Sequence, residues 1–199
     1  MDFKLKGKKA FISGSTSGIG LETARILLNE GMTVYINGRS EKTVKKAVEY
    51  LKNEIKGSDV KGIVADFLKQ VQVKNLLSSL KDVDVLINNV GIYSSTSFFN
   101  TPKKTWYDQF QVNVMSGVTL TKHFLEGMIA RNWGRVIFIS SECVYLAPID
   151  LISYSSTKAA LHSLSRGIAQ LSKGSNVTSN VVVPLSLIHI SEPTRQDRI

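Results

Sequence analysis

A chain of 199 residues that is 43% hydrophobic has the composition of one packed domain, not of a disordered or fibrous chain. No apolar run approaches the ~20 residues needed to span a membrane, and Met1-Asp2-Phe3-Lys4 lacks the apolar stretch of a secretory signal. The net charge of +9 keeps nucleic-acid binding as a reading to weigh, and the single cysteine, Cys143, excludes an intrachain disulfide, so a reducing cytoplasm is the expected compartment.

The first strand candidate, Lys9–Ser13, runs into Gly14-Ser15-Thr16-Ser17-Gly18-Ile19-Gly20, and a helical pattern follows over 18–30. Glycines here let the backbone turn tightly and approach a phosphate without a Cβ in the way. The helix N-terminus adds free N–H groups and partial positive charge. Strand, glycine-rich turn and helix in this order predict a dinucleotide site across Gly14–Gly20.

A second strand, Thr33–Asn37, ends in Asn37-Gly38-Arg39-Ser40. An acidic residue there would accept from the ribose hydroxyls of NAD and repel a 2′-phosphate; none is present. Arg39 can instead pair with that phosphate, so NADP(H) is expected in preference to NAD(H). A plain surface-loop role for Arg39 is the alternative.

The helix expected over 41–56 puts Val44, Ala47, Val48, Leu51 and Ile55 on one face, leaving Lys42, Lys45, Lys46, Lys52 and Lys56 as its solvated side. This distribution argues against a nucleic-acid partner. Strand Val60–Ala65 leads to Asp66, and a helix over 70–80 carries Val73, Leu76, Leu77 and Leu80 on one face. Strand Val83–Asn88 opens into Asn88-Asn89-Val90-Gly91. A long helix is expected over 103–130, with Val114, Gly117, Val118, Thr121, Leu125 and Met128 in one stripe. Strand Arg135–Ser140, a helix over 152–173 and strand Val177–Val183 complete the pattern. Val- and Ile-rich strands with little alternation are the kind buried on both faces. Their alternation with helices predicts one α/β domain: a doubly wound, Rossmann-like parallel sheet in three α/β/α layers.

Tyr154 and Lys158 lie four residues apart on an expected helix and so share a face. A free tyrosine, with pKa ~10, is a poor base near neutrality. A neighbouring ammonium would stabilise the phenolate and lower that value. The phenol would then give a proton to a carbonyl oxygen, or take one from an alcohol.

Gly14-x-x-x-Gly18-x-Gly20, preceded by Ser13, together with Asn88-Asn89-Val90-Gly91 and Tyr154-x-x-x-Lys158, resembles the classical short-chain dehydrogenase/reductase family across nearly all of 1–184. The resemblance implies an oxidoreductase moving hydride between NADP(H) and a carbonyl or secondary alcohol. It implies Tyr154 as acid/base, with Lys158 also binding the nicotinamide ribose. Ser141 would be the substrate-oxygen anchor, with Ser140 the neighbour open to confusion with it. Asn113 would support a water-mediated proton path, although alone it reads as a structural polar group. Asp66 would contact the adenine amino group, or else cap a helix. Asn88, Gly91 and Pro184 would line the cofactor site. Departures are Ser13 for the usual threonine, Ser17 where many NADP-using relatives carry a basic residue, and Val90 where a small residue is usual. A 3-oxoacyl thioester reductase is one member of the class, which no residue selects over steroid, sugar or small-ketone reductases. Homo-oligomerisation of the full-length form is also implied.

His123 and His162 lack a second ligand at metal spacing, so no metal is expected. Cys143, Trp106 and Tyr107 read as packing or lining residues. Val144 to Ile152 is expected at the substrate entrance, its Val144, Leu146, Ile149 and Leu151 hinting at a mainly apolar substrate.

After Pro184 the character changes. One set of codons for Leu185–Arg195 spells a transposase sequencing adapter, and Gln196–Ile199 fit its continuation through a variable index. Residues 185–199 are therefore expected to be a non-native tail, which removes His189 as a ligand candidate. Family members follow the strand-six proline with glycine and further elements, so the domain over 1–184 is expected to be incomplete. The competing expectation is a nucleotide-binding fragment that is poorly soluble or weakly active.

Overall fold

The computed structural model describes residues 3–185. Six strands form one parallel sheet: β1 (Lys9–Ile12), β2 (Thr33–Gly38), β3 (Val60–Val64), β4 (Val85–Asn88), β5 (Gly134–Ile139) and β6 (Val177–Val182), in the order β3-β2-β1-β4-β5-β6. Helices alternate with them: α1 (Gly18–Asn29), α2 (Glu41–Glu54), α3 (Gln70–Ser79), α4 (Lys103–Phe110), α5 (Ser116–Ala130), α6 (Cys143–Leu146) and α7 (Ile152–Leu171). This is the doubly wound fold that the strand-helix alternation predicts.

The central strands alternate sides within their apolar runs. Ala10 and Ile12 pack under α1 and α2 with Val34, Ile36, Ala24, Leu28 and Leu51. Phe11, between them in sequence, faces the other layer with Leu86, Leu120, Phe124, Phe138 and Leu161. A sheet buried on both faces thus has a core on each side, as its unbroken apolar strands require. On α2, Val44, Ala47 and Leu51 are buried and Val48 half-buried, as is Ile55 at its C-terminal cap, while the helix's four lysines and Lys56 just beyond it are exposed. Between β1 and β4 the direction of winding reverses. Their carboxyl ends therefore splay apart into the crevice where such sheets bind ligands.

Two expectations are corrected. The stretch 103–130 is not one regular helix: a π-helical segment, Gln111–Met115, separates α4 from α5. There Asn113 spends its amide on neighbours, Oδ1 accepting from Ile92 N at 2.7 Å and Nδ2 donating to Ile92 O and Thr157 Oγ1 at 2.9 Å each. Wide turns of this kind concentrate at functional sites. β1 also stops one residue short of Ser13, whose hydroxyl accepts from Asn89 N and Val90 N, both at 3.0 Å.

Candidate active site

The glycine-rich turn is fixed by side chains from two other strand ends. Asn37, at the end of β2 and 1% exposed, accepts from Gly14 N with Oδ1 at 3.1 Å. Its Nδ2 donates to Ile63 O and Ala65 O, both at 3.2 Å. Ser15 Oγ donates to Ile12 O at 2.7 Å and accepts from Asn37 N at 2.9 Å. From just beyond β4, Asn89 Nδ2 donates to Ser13 O at 2.9 Å and to Gly14 O at 2.7 Å. Gly20 is obligatory here: a Cβ would lie 2.6 Å from Asn89 Nδ2 and 2.8 Å from Gly14 O. Gly14 and Gly18 have φ of +62° and +55°, which glycine alone adopts without strain.

Two adjoining cavities open at this crevice, sharing Asn89 and Gly91. The first, about 340 Å³, is lined by Gly14, Thr16, Ser17, Gly38, Arg39 and Asp66 among others. Among the described residues, Arg39 is its only cation and Asp66 its only carboxylate. Asp66 does not cap α3, whose N-cap is Lys69. Its Oδ1 instead accepts from Leu68 N at 3.0 Å, holding the carboxylate at the cavity wall. Thr16 and Ser17 also border a further hollow lined by Thr43, Lys46 and Tyr50.

The second cavity, about 560 Å³, is lined by Tyr93, Ser141, Glu142, Cys143, Leu146, Pro148, Leu151, Tyr154, Lys158 and Pro184 among others. Pro184 is brought there by its carbonyl, which accepts from Glu142 N at 3.3 Å. Tyr154 and Lys158 project from successive turns of α7, and the Ser141 hydroxyl lies on the same cavity, where it favours the ionised form of the Tyr154 phenol. Lys158, 3% exposed, donates from Nζ to Ile139 O at 2.8 Å. A Cβ on Gly91 would lie 3.3 Å from that Nζ and 3.7 Å from Asn113 Oδ1. Lys158 and Asn113 thus flank the chain where it leaves β4.

Burial pushes the Lys158 ammonium down to about 8. Burial also raises the Tyr154 phenol above its ordinary value, with the Ser141 hydroxyl pulling the other way. This corrects the expectation that Lys158 lowers the phenol. The ammonium lies 5.6 Å from the Tyr154 ring centre and is anchored on a backbone oxygen, so desolvation outweighs its field.

A family model described as short chain dehydrogenase matches residues 8–188. The chain belongs to the short chain dehydrogenase family. It is 41% identical over 187 residues to the oxidoreductase YvrD of Bacillus subtilis (strain 168), covering 92% of this chain and 70% of that one. It is 30% identical over 188 residues to the 3-oxoacyl-[acyl-carrier-protein] reductase FabG of Aquifex aeolicus (strain VF5), covering 92% and 75%. Among solved structures, L-sorbose reductase from Gluconobacter frateurii, complexed with NADPH and L-sorbose, superposes with a TM-score of 0.87 at 29% identity, covering 92% and 71%. As a short chain dehydrogenase the chain is an NAD(P)-dependent oxidoreductase of the CH–OH/C=O type.

Within this family frame, the structure gathers Ser141, Tyr154 and Lys158 at one cavity and Gly14, Thr16, Ser17, Arg39 and Asp66 at the other, with Gly91 bordering both. Ile19 and Pro184 border the second. Ser15 and Gly20 are buried beneath the turn, and Gly18 opens α1. Asn88 is not at the crevice: its amide is buried, with Nδ2 donating to Thr121 Oγ1 at 3.4 Å. The neighbouring Asn89 lines both cavities. Strand alternation sends the two asparagines to opposite faces, and the sequence does not say which faces inward. Ser140 likewise turns away from Ser141, against His162. The sequence motifs assign no role to Asn37, Asn89 or Thr157, which the structure brings to the site. The only sequence signal for Asn37 is its place just before Gly38-Arg39. No group of metal-ligating side chains occurs among the described residues. No helix among them is long and apolar enough to cross a membrane.

Proposed function

We propose that the protein uses NADP(H) to interconvert a carbonyl and a secondary alcohol, with Tyr154, Lys158, Ser141 and Asn113 as its catalytic set. The observation that carries this reading is the placement of Ser141, Tyr154 and Lys158 on one cavity that adjoins the glycine-rich crevice. The crevice suits a dinucleotide: Gly14 and Gly20 let the turn pack against Val90 and Asn89, which a Cβ would meet at under 3 Å, and a pocket of about 340 Å³ opens beside it. Gly14–Gly20 would hold the pyrophosphate at the start of α1, Asp66 the adenine and Arg39 the 2′-phosphate. Asn89 and Gly91 would border the ribose and nicotinamide. Lys46, across Thr16 and Ser17, adds a second cation near the phosphate. When bound, the nicotinamide supplies or accepts the hydride.

Ser141 donates its hydroxyl hydrogen to the substrate oxygen and orients it toward Tyr154. The raised phenol stays protonated through neutral pH and so is ready to donate its proton to that oxygen in the reductive direction. In the reverse direction the phenol first loses its proton along the path that Lys158 and Asn113 support, and the phenolate then takes the alcohol proton. Lys158, held by Ile139 O beside Gly91, would hold the nicotinamide ribose hydroxyls, and Asn113 would support the proton path. Leu146, Pro148 and Leu151 give the substrate end an apolar wall. A 3-oxoacyl thioester is one substrate of that character, in keeping with the FabG relative. L-sorbose reductase supports a sugar ketone instead.

Residues 1–184 are in this reading an incomplete native catalytic domain and 185–199 a non-native tail, of which 186–199 lie outside the described residues. The full-length form is a cytoplasmic homo-oligomer with small-molecule substrates and no nucleic-acid or membrane partner. Sequencing the source DNA through the Pro184 codon tests the tail: a glycine codon followed by further coding sequence supports it, and genomic Leu185–Ile199 codons overturn it. The catalytic assignment is tested by Tyr154→Phe. Turnover should fall by about 100-fold or more with NADPH affinity kept; unchanged turnover would remove Tyr154 from the chemistry.

A further inference from the structure

Three consecutive residues at the end of β5 are each tied to α7. Ile139 O accepts from Lys158 Nζ at 2.8 Å. Ser141 shares its cavity with Tyr154 and acts on the phenol there. Between them, Ser140 Oγ lies 2.9 Å from His162 Nε2 and 3.4 Å from Lys158 O. The outer two ties belong to the chemistry proposed above, whereas the middle one has no part in it. Its histidine sits one helical turn beyond Lys158, half-buried, with Tyr145 of α6 edge-on at 6.2 Å between ring centres.

The proton count at Ser140 gives His162 a role. A serine hydroxyl has one hydrogen, and the Lys158 carbonyl can only accept. When that hydrogen points to Lys158 O, the 2.9 Å contact requires His162 to donate from Nε2. When Nε2 carries no hydrogen, the hydroxyl turns to the ring and releases Lys158 O. Resting on the catalytic reading above, we propose that His162 is a positioning residue for the Tyr154–Lys158 pair. Its Nε2–H holds Ser140, and so keeps the strand end that presents Ser141 against the helix turn that presents Lys158. The Tyr145 contact extends the grip to α6, so His162 touches the Ser141 segment on both sides. A small shift of that segment moves Ser141 relative to the phenol. Misplacement of about 1 Å in a reacting constellation lowers rates by up to ~10².

The test compares His162→Leu, which keeps bulk and loses the donor, with His162→Gln, whose amide N–H reaches toward the position of Nε2. Two quantities are read. The first is kcat for NADPH-dependent ketone reduction with KM for NADPH. The second is Tyr154 ionisation, taken as the tyrosinate absorbance lost in Tyr154→Phe, which needs no turnover. H162L should lower kcat about tenfold, leave KM for NADPH in place and shift the Tyr154 ionisation; H162Q should restore both. Parent-like kcat and ionisation in H162L, or an H162Q no better than H162L, overturns the proposal. Full turnover in Tyr154→Phe defeats the catalytic reading instead. If the parent chain itself shows no turnover, the titration decides alone, and an unmoved Tyr154 ionisation in H162L overturns the role of His162.

Discussion

Lys158 Nζ donates to the main-chain oxygen of Ile139 at 2.8 Å, which anchors the buried ammonium on the last residue of β5, 5.6 Å from the ring centre of Tyr154. A group buried among strand ends and helix has lost most of its water, and one carbonyl replaces little of it. Its charged form is therefore disfavoured, and its pKa falls to about 8.

That shift has a consequence for stability. The folded chain releases the Lys158 proton at about 8, whereas the unfolded chain keeps it to its ordinary 10.5. Between those values the unfolded state binds more protons, so stability rises with pH; below about 8 the cost of burying the charge is present in full. Lys158→Met removes this dependence. Denaturant unfolding at about pH 7.5 and 9.5 should show the parent gaining up to about 2 kcal/mol on the variant as pH rises. Parallel profiles would mean that the ammonium is not desolvated.

Arg39 is the only cation among the described residues lining the cavity at the end of β2. Replacing it by a carboxylate, Arg39→Glu, should weaken NADPH binding at least about tenfold and favour NADH, because the 2′-phosphate loses its partner and meets a like charge. Lys46→Ala should give a smaller loss in the same direction. Dissociation constants for the two cofactors, measured by nucleotide fluorescence, decide it. An unchanged NADPH-to-NADH ratio in Arg39→Glu would return that residue to the surface loop.

Asn37 joins three strand ends through one amide. Asn37→Ala leaves Gly14 N, Ile63 O and Ala65 O short of a partner in a buried place, at a cost of about 2–3 kcal/mol. Asn37→Asp should be worse, since a carboxylate keeps the contact with Gly14 N but opposes two carbonyl oxygens. Both should weaken dinucleotide binding along with stability. Denaturation midpoints for the two variants check the order.

Two glycines in helices should respond oppositely to alanine. At Gly20 the added Cβ meets Asn89, Gly14 and Ser15 at 2.6–2.8 Å, so Gly20→Ala should abolish cofactor binding or folding. At Gly167, inside α7, nothing lies within 4 Å. Gly167→Ala should therefore raise stability by roughly 0.5–1 kcal/mol, through helix propensity alone. A tolerated Gly20→Ala would mean that the α1 approach to β4 is looser than drawn.

What was legible in the sequence is what local chemistry enforces. Apolar runs such as Val34–Ile36 and Val85–Ile87 can only be buried strands. The spacing of Val44, Ala47 and Leu51 can only be one helix face, and Tyr154 and Lys158 four residues apart on a helix must share a side. Gly14-x-x-x-Gly18-x-Gly20 between strand and helix marked the crevice for the same reason: a backbone that must turn and approach a phosphate has few alternatives to glycine.

Tertiary structure decided what depends on contacts far apart in the chain. Which of Asn88 and Asn89 faces the crevice follows from how β4 sits between β1 and β5. The wide turn at Gln111–Met115 answers to Asn113 meeting Ile92 and Thr157, 21 and 44 residues away. The direction of the Tyr154 shift is set by how much water the assembled cavity removes. Asn37 became a site residue only when the ends of β1, β2 and β3 met around its amide. Hydrophobic period and backbone sterics act within a few residues and can be read along the chain, whereas desolvation and hydrogen-bond partnership are properties of a place, which exists only once the sheet has closed on its helices.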